Sequence, residues 1–362
     1  MTSAARPPAV RGAPGPNAAP AREARSDSGA APGTAAGTGP AAAVAPRAAG
    51  VRLPYERLPV AVRAWAQDVL GAAVVQARTQ VGGMSPGCAA RLTAAAGGGA
   101  AFLKAVSSGQ NPDTPTMFRH EITVQRALPR VPYRPAMIAS YDDGDWVGML
   151  LEDVEGRYPD FSGAGVTSAA DTAAVWSTVR RQARELTPAP AGLTITTAAQ
   201  TAQRWADRWQ IVAADPHRYL PAWAAAEADS LLNDHVLPLP GHLGGASLCH
   251  WDVRNDNLLI RPGGEVVIFD WGMARTGPAW ADEFVLSLEW AATPAIDDYF
   301  ARIARDHGVS GDVLTDMLIG LVGSLAWRAG QPPLPGLPNL AGFTGELARL
   351  LLGVIRRRLP AT

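Results

Sequence analysis

The stretch from Ser247 to Gly272 reads as a non-helical island inside a helical half, and it restricts the possible folds more than any other part of the chain. Two short apolar runs, Leu258 to Ile260 and Val266 to Phe269, flank Arg261-Pro262-Gly263-Gly264, a turn that predicts a β-hairpin. The polar residues gather at its two ends: His250, Asp252 and Asn257 precede the first run, and Asp270 closes the second. If the hairpin closes in register, Asn257 and Asp270 become neighbours. An amide oxygen beside a carboxylate suits a hard, oxygen-seeking cation such as Mg²⁺. Asp252, five residues before Asn257, is then placed to accept a proton or orient a hydroxyl.

Upstream the pattern is different. Leu58, Val62, Trp65 and Val69 recur at helical spacing and predict a short amphipathic helix. Three strand-like runs follow, Val74 to Thr79, Cys88 to Ala95 and Ala101 to Val106, separated by glycine-rich turns at 82–87 and 97–99, so an antiparallel meander is expected. A helix from about Thr116 to Ala127 and strands near Pro135 to Tyr141 and Trp146 to Glu152 complete a small lobe. Beyond Gly156 the periodicity is that of long helices: Asp171 to Leu186, Thr197 to Ala214, Pro221 to Leu232, Ala279 to Ala291 and roughly Asp312 to Trp327. Residues 1–50 hold 18 Ala, 8 Pro and 7 Gly, a composition that cannot offset its ordering entropy by burial, so a disordered tail is expected. The expected organisation is a tail over 1–50, a first lobe over 51–153 and a helical lobe over 154–362.

Charge and composition narrow the partners. The formal net charge of −1 supplies no basic field to hold nucleic acid or an anionic membrane, and no apolar run approaches the roughly 20 residues of a membrane helix. Cys88 and Cys249 are too few for a disulfide framework or a zinc cluster; they are expected to be buried apolar groups in a reducing, cytoplasmic setting. Of the 32 basic residues, 31 are arginine, leaving Lys104 as the single lysine. In a chain that writes its positive charges as arginine, a retained lysine points to a place where a compact ammonium is needed and a planar guanidinium does not serve.

His250-x-Asp252-x-x-x-x-Asn257 followed by Asp270-x-Gly272 resembles the catalytic loop and metal motif of protein-kinase-like enzymes. With Gly-Gly-Met-Ser-Pro-Gly at 82–87, Phe-Leu-Lys at 102–104, Leu-Leu-Glu-Asp-Val-Glu-Gly-Arg at 150–157 and Ile-Phe-Asp-Trp-Gly at 268–272, it looks like the aminoglycoside phosphotransferase and choline kinase-like family. The resemblance implies an α+β, protein-kinase-like two-lobed fold, with a small antiparallel sheet and one helix in the N-lobe and a larger, mainly helical C-lobe. It implies Asp252 as catalytic base, Asn257 and Asp270 as holders of Mg²⁺, and Lys104 on the ATP phosphates with Glu121 as its partner. Arg254 would steady the transferred phosphoryl group, and His250 would complete the catalytic loop, chiefly by bracing it. Gly82, Gly83, Ser85 and Gly87 would form the loop over the phosphates, and the segment from Leu151 to Val154, with Glu152 and Val154, would be the hinge that receives adenine.

The implied activity is ATP- and Mg²⁺-dependent phosphorylation of a hydroxyl on a small molecule, an antibiotic of aminoglycoside or macrolide type or another secondary metabolite. A choline-like or sugar metabolite is an alternative acceptor, and a nucleotide-binding pseudokinase an alternative without transfer. A protein substrate is disfavoured, since no activation segment ending in Ala-Pro-Glu follows Gly272. Two expectations concern the acceptor. Asp256, Asp282 and Glu283 flank the site and are candidates to receive ammonium groups, while nine of the eleven tryptophans lie in the helical half and suit an apolar or aromatic acceptor. Trp251, standing where this family often has glycine, is expected to put bulk beside the phosphoryl site.

Overall fold

Glycine and proline turns between short β-prone runs produce the first lobe. The computed structural model describes residues 50–359, so the tail expectation lies outside the described residues apart from Gly50. Helix α1 (Val60–Leu70) is followed by β1 (Val74–Thr79), β2 (Cys88–Ala94), β3 (Ala100–Ser107), α2 (Thr114–Ala127), β4 (Met137–Asp142) and β5 (Trp146–Leu151). The strands form one antiparallel sheet in the order β1-β2-β3-β5-β4. β1 to β3 make the expected meander, and the helical connection through α2 carries β4 to the edge.

Alternation along the strands assigns the two faces of the sheet. Leu103, Ala105 and Leu150 pack with α1, while Phe102, Val106, Val147, Met149 and Leu151 pack with Phe118 and Ile122 of α2. Leu103 and Leu150 are fully buried, each contributing about 2 kcal/mol. By the same alternation Lys104 points to the α2 face. On α1 the buried residues are Val62, Ala66 and Leu70, so the inward stripe lies one position beyond the Trp65 and Val69 expected from the sequence.

The second lobe is helical: α3 (Gly165–Glu185), α4 (Ala198–Ala214), four short helices α5 (Pro216–Tyr219), α6 (Ala222–Ala226), α7 (Ala228–Ser230) and α8 (Leu239–His242), then α9 (Ala281–Ser287), α10 (Ala295–His307), α11 (Gly311–Ala329) and α12 (Leu340–Arg358). The single helix expected over Pro221 to Leu232 is broken into α6, α7 and a π-helical turn at Leu231–Val236. α10 and α12 were not anticipated from the sequence. Helix α4 begins at a capping box, Thr197 Oγ1 accepting from Gln200 N while the Gln200 side chain accepts from Thr197 N. It packs on α11, where a Cβ at Gly323 would stand 2.1 Å from Trp209 Nε1, so only glycine admits the indole. That indole donates to Ile319 O at 2.7 Å.

Between these helices lies the island: β6 (Ser247–Cys249), β7 (Leu258–Ile260), β8 (Val266–Ile268) and β9 (Arg275–Gly277). β7 and β8 form the expected hairpin, with Leu258 opposite Ile268, and β6 pairs with β9. Among the described residues no helix is long and apolar enough to cross a membrane.

Candidate active site

The hairpin closes in register, and Phe269 N donates to Asn257 O at 3.1 Å, which sets Asn257 beside Asp270 at the floor of a cleft between the lobes. A cavity of about 250 Å³ opens there. Its walls include Gly82, Gly83 and Ser85 from the β1–β2 loop, Lys104, the segment Leu151 to Val154, Asn257 and Asp270, with Phe102, Leu259 and Phe269 as apolar surface. Gly87 does not line it. There φ is +101° and a Cβ would stand 2.4 Å from Ala105 O, so this glycine serves close packing of the loop on β3.

Lys104 is buried, with Nζ 2.5 Å from Glu121 Oε2 and 2.9 Å from Asp270 Oδ1. Burial works against its charge, but the two carboxylates outweigh it and hold the ammonium above the ordinary lysine range. Asp270 is held below the usual carboxylate range because Lys104 offsets the cost of burial, while burial dominates at Glu121 and pushes it up.

Asp252 sits at the start of the loop after His250, its side chain about 30% exposed. Burial, with help from Asp270 and Asp256, pushes its carboxyl up to about 6, against the pull of Arg254 and of the Asn257 hydrogen bond. Arg254 Nε lies 3.3 Å from Asp252 Oδ1 and 3.1 Å from Asp256 Oδ1. The Asn257 amide nitrogen donates to Asp252 O at 2.9 Å and to Oδ2 at 2.8 Å, which leaves its amide oxygen as the atom to offer a cation. His250 is fully buried, accepts from Asp252 N at Nδ1 (3.2 Å), donates from Nε2 to Phe269 O (3.0 Å), and burial lowers its pKa. Its described hydrogen bonds from the ring are all to backbone, which makes it a neutral brace and not a proton carrier.

The hinge residues are tied in place. Glu152 accepts from Arg261 Nη2 at 2.6 Å and from Ala136 N, and the Val154 carbonyl accepts from Arg91. Thus the Val154 carbonyl already has a partner, and the wall at 151–154 offers its remaining main-chain groups and apolar surface to a flat ring.

Two residues escaped the sequence reading. Arg52 reaches under the glycine-rich loop, donates to Gly82 O and Ser85 O, and lines the cavity as a second cation beside Lys104. Leu53 N donates to Gly87 O at 3.0 Å, which lays this segment along the loop. In a chain rich in arginine, one lying upstream of every motif carries no spacing signal. Asp282 is the other: its buried carboxylate accepts from His250 N and Trp251 N, each at 2.8 Å, and from Gln182 Nε2 at 2.7 Å, clamping the catalytic loop from below.

Three expectations about the acceptor fail. Asp282 is spent on the loop, Glu283 is fully buried against Arg180 and His307, and Asp256 is buried against Arg254, so none is left to receive an ammonium group. The tryptophans are mainly core: Trp176, Trp209 and Trp271 are inaccessible, and Trp205, Trp251, Trp280 and Trp290 nearly so. Trp251 turns away from the phosphoryl site into the C-lobe, its ring centroid 6.2 Å from that of Trp205. Its φ of +68° is the left-handed conformation that favours glycine, and Asp270 at +67° shares it. Among the described residues these are the only non-glycine positions with positive φ, and both belong to the site.

The architecture matches known enzymes. A thermostable mutant of the aminoglycoside phosphotransferase APH(4)-Ia, in a ternary complex with ADP and hygromycin B, superposes with a TM-score of 0.52 at 14% identity, covering 84% of this chain and 100% of that one. The choline kinase LicA from Streptococcus pneumoniae gives 0.53 at 13% identity over 81% of this chain and 98% of its own. Likeness at this level of identity establishes the two-lobed, protein-kinase-like fold. No curated protein matches by sequence. The APH model, described as the phosphotransferase enzyme family, matches residues 90–313, a span that runs from β2 through the catalytic loop into α11. The chain belongs to the APH phosphotransferase enzyme family.

Proposed function

We propose that this chain transfers the γ-phosphoryl group of ATP to a hydroxyl of a small molecule, with Asp252 as the base. The observation that carries the reading is the joining of Lys104, Glu121 and Asp270 in one buried ion network above the Asp252–Asn257 hydrogen bond, since each residue comes from a different element. In the transfer, the acceptor oxygen bonds to the γ-phosphorus, its proton passes to Asp252, and the bond to the β,γ-bridging oxygen breaks to release ADP. A carboxyl that titrates near 6 is ionised at neutral pH yet basic enough to take that proton. Lys104 orients the phosphates, Glu121 fixes Lys104, and the 82–85 loop with Arg52 covers them.

Asn257 and Asp270 offer an amide oxygen and a carboxylate, the hard donors that Mg²⁺ takes. Among the described residues no group of three or more His, Cys, Asp or Glu stands ready to hold a metal, so an ion here would complete its shell with phosphate and water oxygens. When bound, Mg²⁺ supplies neutralisation of phosphate charge.

The acceptor class proposed from the sequence was an antibiotic or other secondary metabolite, and the buried state of Asp256, Asp282 and Glu283 weakens the polycationic choice within it. A panel of hydroxylated compounds incubated with ATP tests the activity: a gain of about 80 Da on one of them is the expected product of a single transfer. ATP consumption on none of them, with nucleotide bound, would favour the pseudokinase alternative.

A further inference from the structure

Guanidinium groups in the helical lobe are generally matched by carboxylates. Arg157 meets Asp171, Arg180 meets Glu283 and Asp306, and Arg358 meets Asp297. Where α4 meets β9 and the end of α11, that matching stops. Arg275 stands in β9 opposite Cys249, the residue just before His250, and donates from Nε to Thr201 Oγ1 at 3.2 Å. Arg204, on the next turn of α4, donates to the same hydroxyl at 3.1 Å. Arg208, four residues on, lies 4.8 Å from the Trp327 ring, and Arg328 lies 5.8 Å from that ring. Among the described residues no carboxylate comes within ion-pair distance of any of these four. Burial, with the Arg204 charge, pushes Arg275 down to about 10, and Arg204 and Arg328 likewise act against Arg208.

The cluster is joined to the catalytic loop in two ways. Trp251 packs on Trp205, the residue after Arg204. Arg328 donates to Pro332 O at the start of a segment, residues 331–339, that crosses to the N-lobe, where Asn111 Nδ2 donates to Pro335 O at 2.9 Å and Gly336 packs on Pro86 of the glycine-rich loop. The segment returns into α12, where Phe343 lies 5.3 Å from Arg254, the partner of Asp252. One strap thus runs from the unpaired cations over the cleft to the catalytic base.

Like charges gathered without a counter-ion raise the energy of the protein until an anion arrives, and the planar fork of arginine fits carboxylate and phosphate oxygens in pairs. We propose that Arg204, Arg208, Arg275 and Arg328 form an oxyanion-binding part of the acceptor site, so that the acceptor is a hydroxylated compound carrying a carboxylate or phosphate group. Assigning the oxyanion to the acceptor rests on the phosphotransfer reading above; oxyanion binding at the cluster does not.

The test uses the full chain with the donor cleft saturated by a non-hydrolysable ATP analogue. Inorganic phosphate and tricarballylate are titrated separately, at constant ionic strength, while the melting temperature is followed in the wild type, in Arg204→Gln and in Arg204→Gln/Arg275→Gln. Arg204 is exposed, so its variant keeps the fold. The expected result is a rise of several degrees in the wild type, at least halved in Arg204→Gln and lost in the double variant. A rise with phosphate alone assigns a phosphate-bearing ligand, and one with tricarballylate alone a carboxylate. No rise with either anion, or an undiminished rise in Arg204→Gln, overturns the oxyanion site. Turnover then separates the two readings: kcat/KM about tenfold or more higher on hydroxy acids or sugar phosphates than on aminoglycosides is expected. Preferred turnover of aminoglycosides would overturn the acceptor assignment. An anion-dependent rise without ATP turnover on any acceptor would leave the oxyanion site standing and remove the phosphotransfer reading.

Discussion

Lys104 Nζ lies 2.9 Å from Asp270 Oδ1 although 166 residues separate them in the chain. With Glu121 on its other side, the ammonium is a compact cation between two carboxylates from α2 and from the end of the β7–β8 hairpin. A guanidinium is wider and planar and cannot occupy that position without moving one of them. Lys104→Arg is therefore expected to lower kcat/KM for ATP by roughly tenfold or more, about 1.4 kcal/mol of transition-state stabilisation, despite the preserved charge. Steady-state kinetics at varied ATP check this, and unchanged values would remove the ion network from the mechanism.

The raised pKa of Asp252 sets the pH dependence. The carboxyl must be ionised to act as base, so kcat/KM is expected to fall on an acid limb near pH 6 and to level off above it. Arg254 favours the ionised form, so Arg254→Gln should move that limb to higher pH. Stability runs the other way. A folded-state pKa above the unfolded value contributes stability below about pH 4, and that contribution is lost as pH rises through about 6. Asp252→Asn is therefore expected to melt above the wild type at pH 8 and to approach it as the pH drops to about 4; calorimetry at several pH values reads the difference.

Trp251 provides a separate test of where the acceptor sits. Its ring belongs to the C-lobe core, so Trp251→Gly should cost roughly 3 kcal/mol or more from lost packing, offset by about 1 kcal/mol of relieved backbone strain. A lower melting temperature with unchanged ranking among acceptors is expected. A changed ranking would return the indole to the acceptor site.

The first lobe was readable because glycine and proline turns punctuate alternating strands, and β1 is placed over the same residues as the expected run. The catalytic constellation was readable because the hairpin turns local spacing into proximity: Asn257 and Asp270 meet through two three-residue strands. What escaped depends on long-range packing. The direction of the Trp251 ring follows from a φ of +68° imposed by the Asp282 clamp, and no local pattern encodes that. Arg52 joins the cavity only because residues 50–53 lie along the glycine-rich loop. Helix α12 was hidden by Gly342, Gly345 and Gly353, which interrupt the pattern on which a helix is recognised. The break after α6 reflects the turn to a π-helical stretch at Leu231, where apolar periodicity continues while the hydrogen-bond register shifts.

Asp252 as the proton acceptor in phosphoryl transfer is the claim on which the rest depends. The most direct measurement follows, by mass spectrometry, the gain of about 80 Da on an acceptor with wild-type enzyme and with Asp252→Asn, alongside nucleotide affinity for both. The variant is expected to bind nucleotide within about twofold of the wild type while transfer falls at least about a hundredfold. Transfer near the wild-type rate by Asp252→Asn would contradict the account.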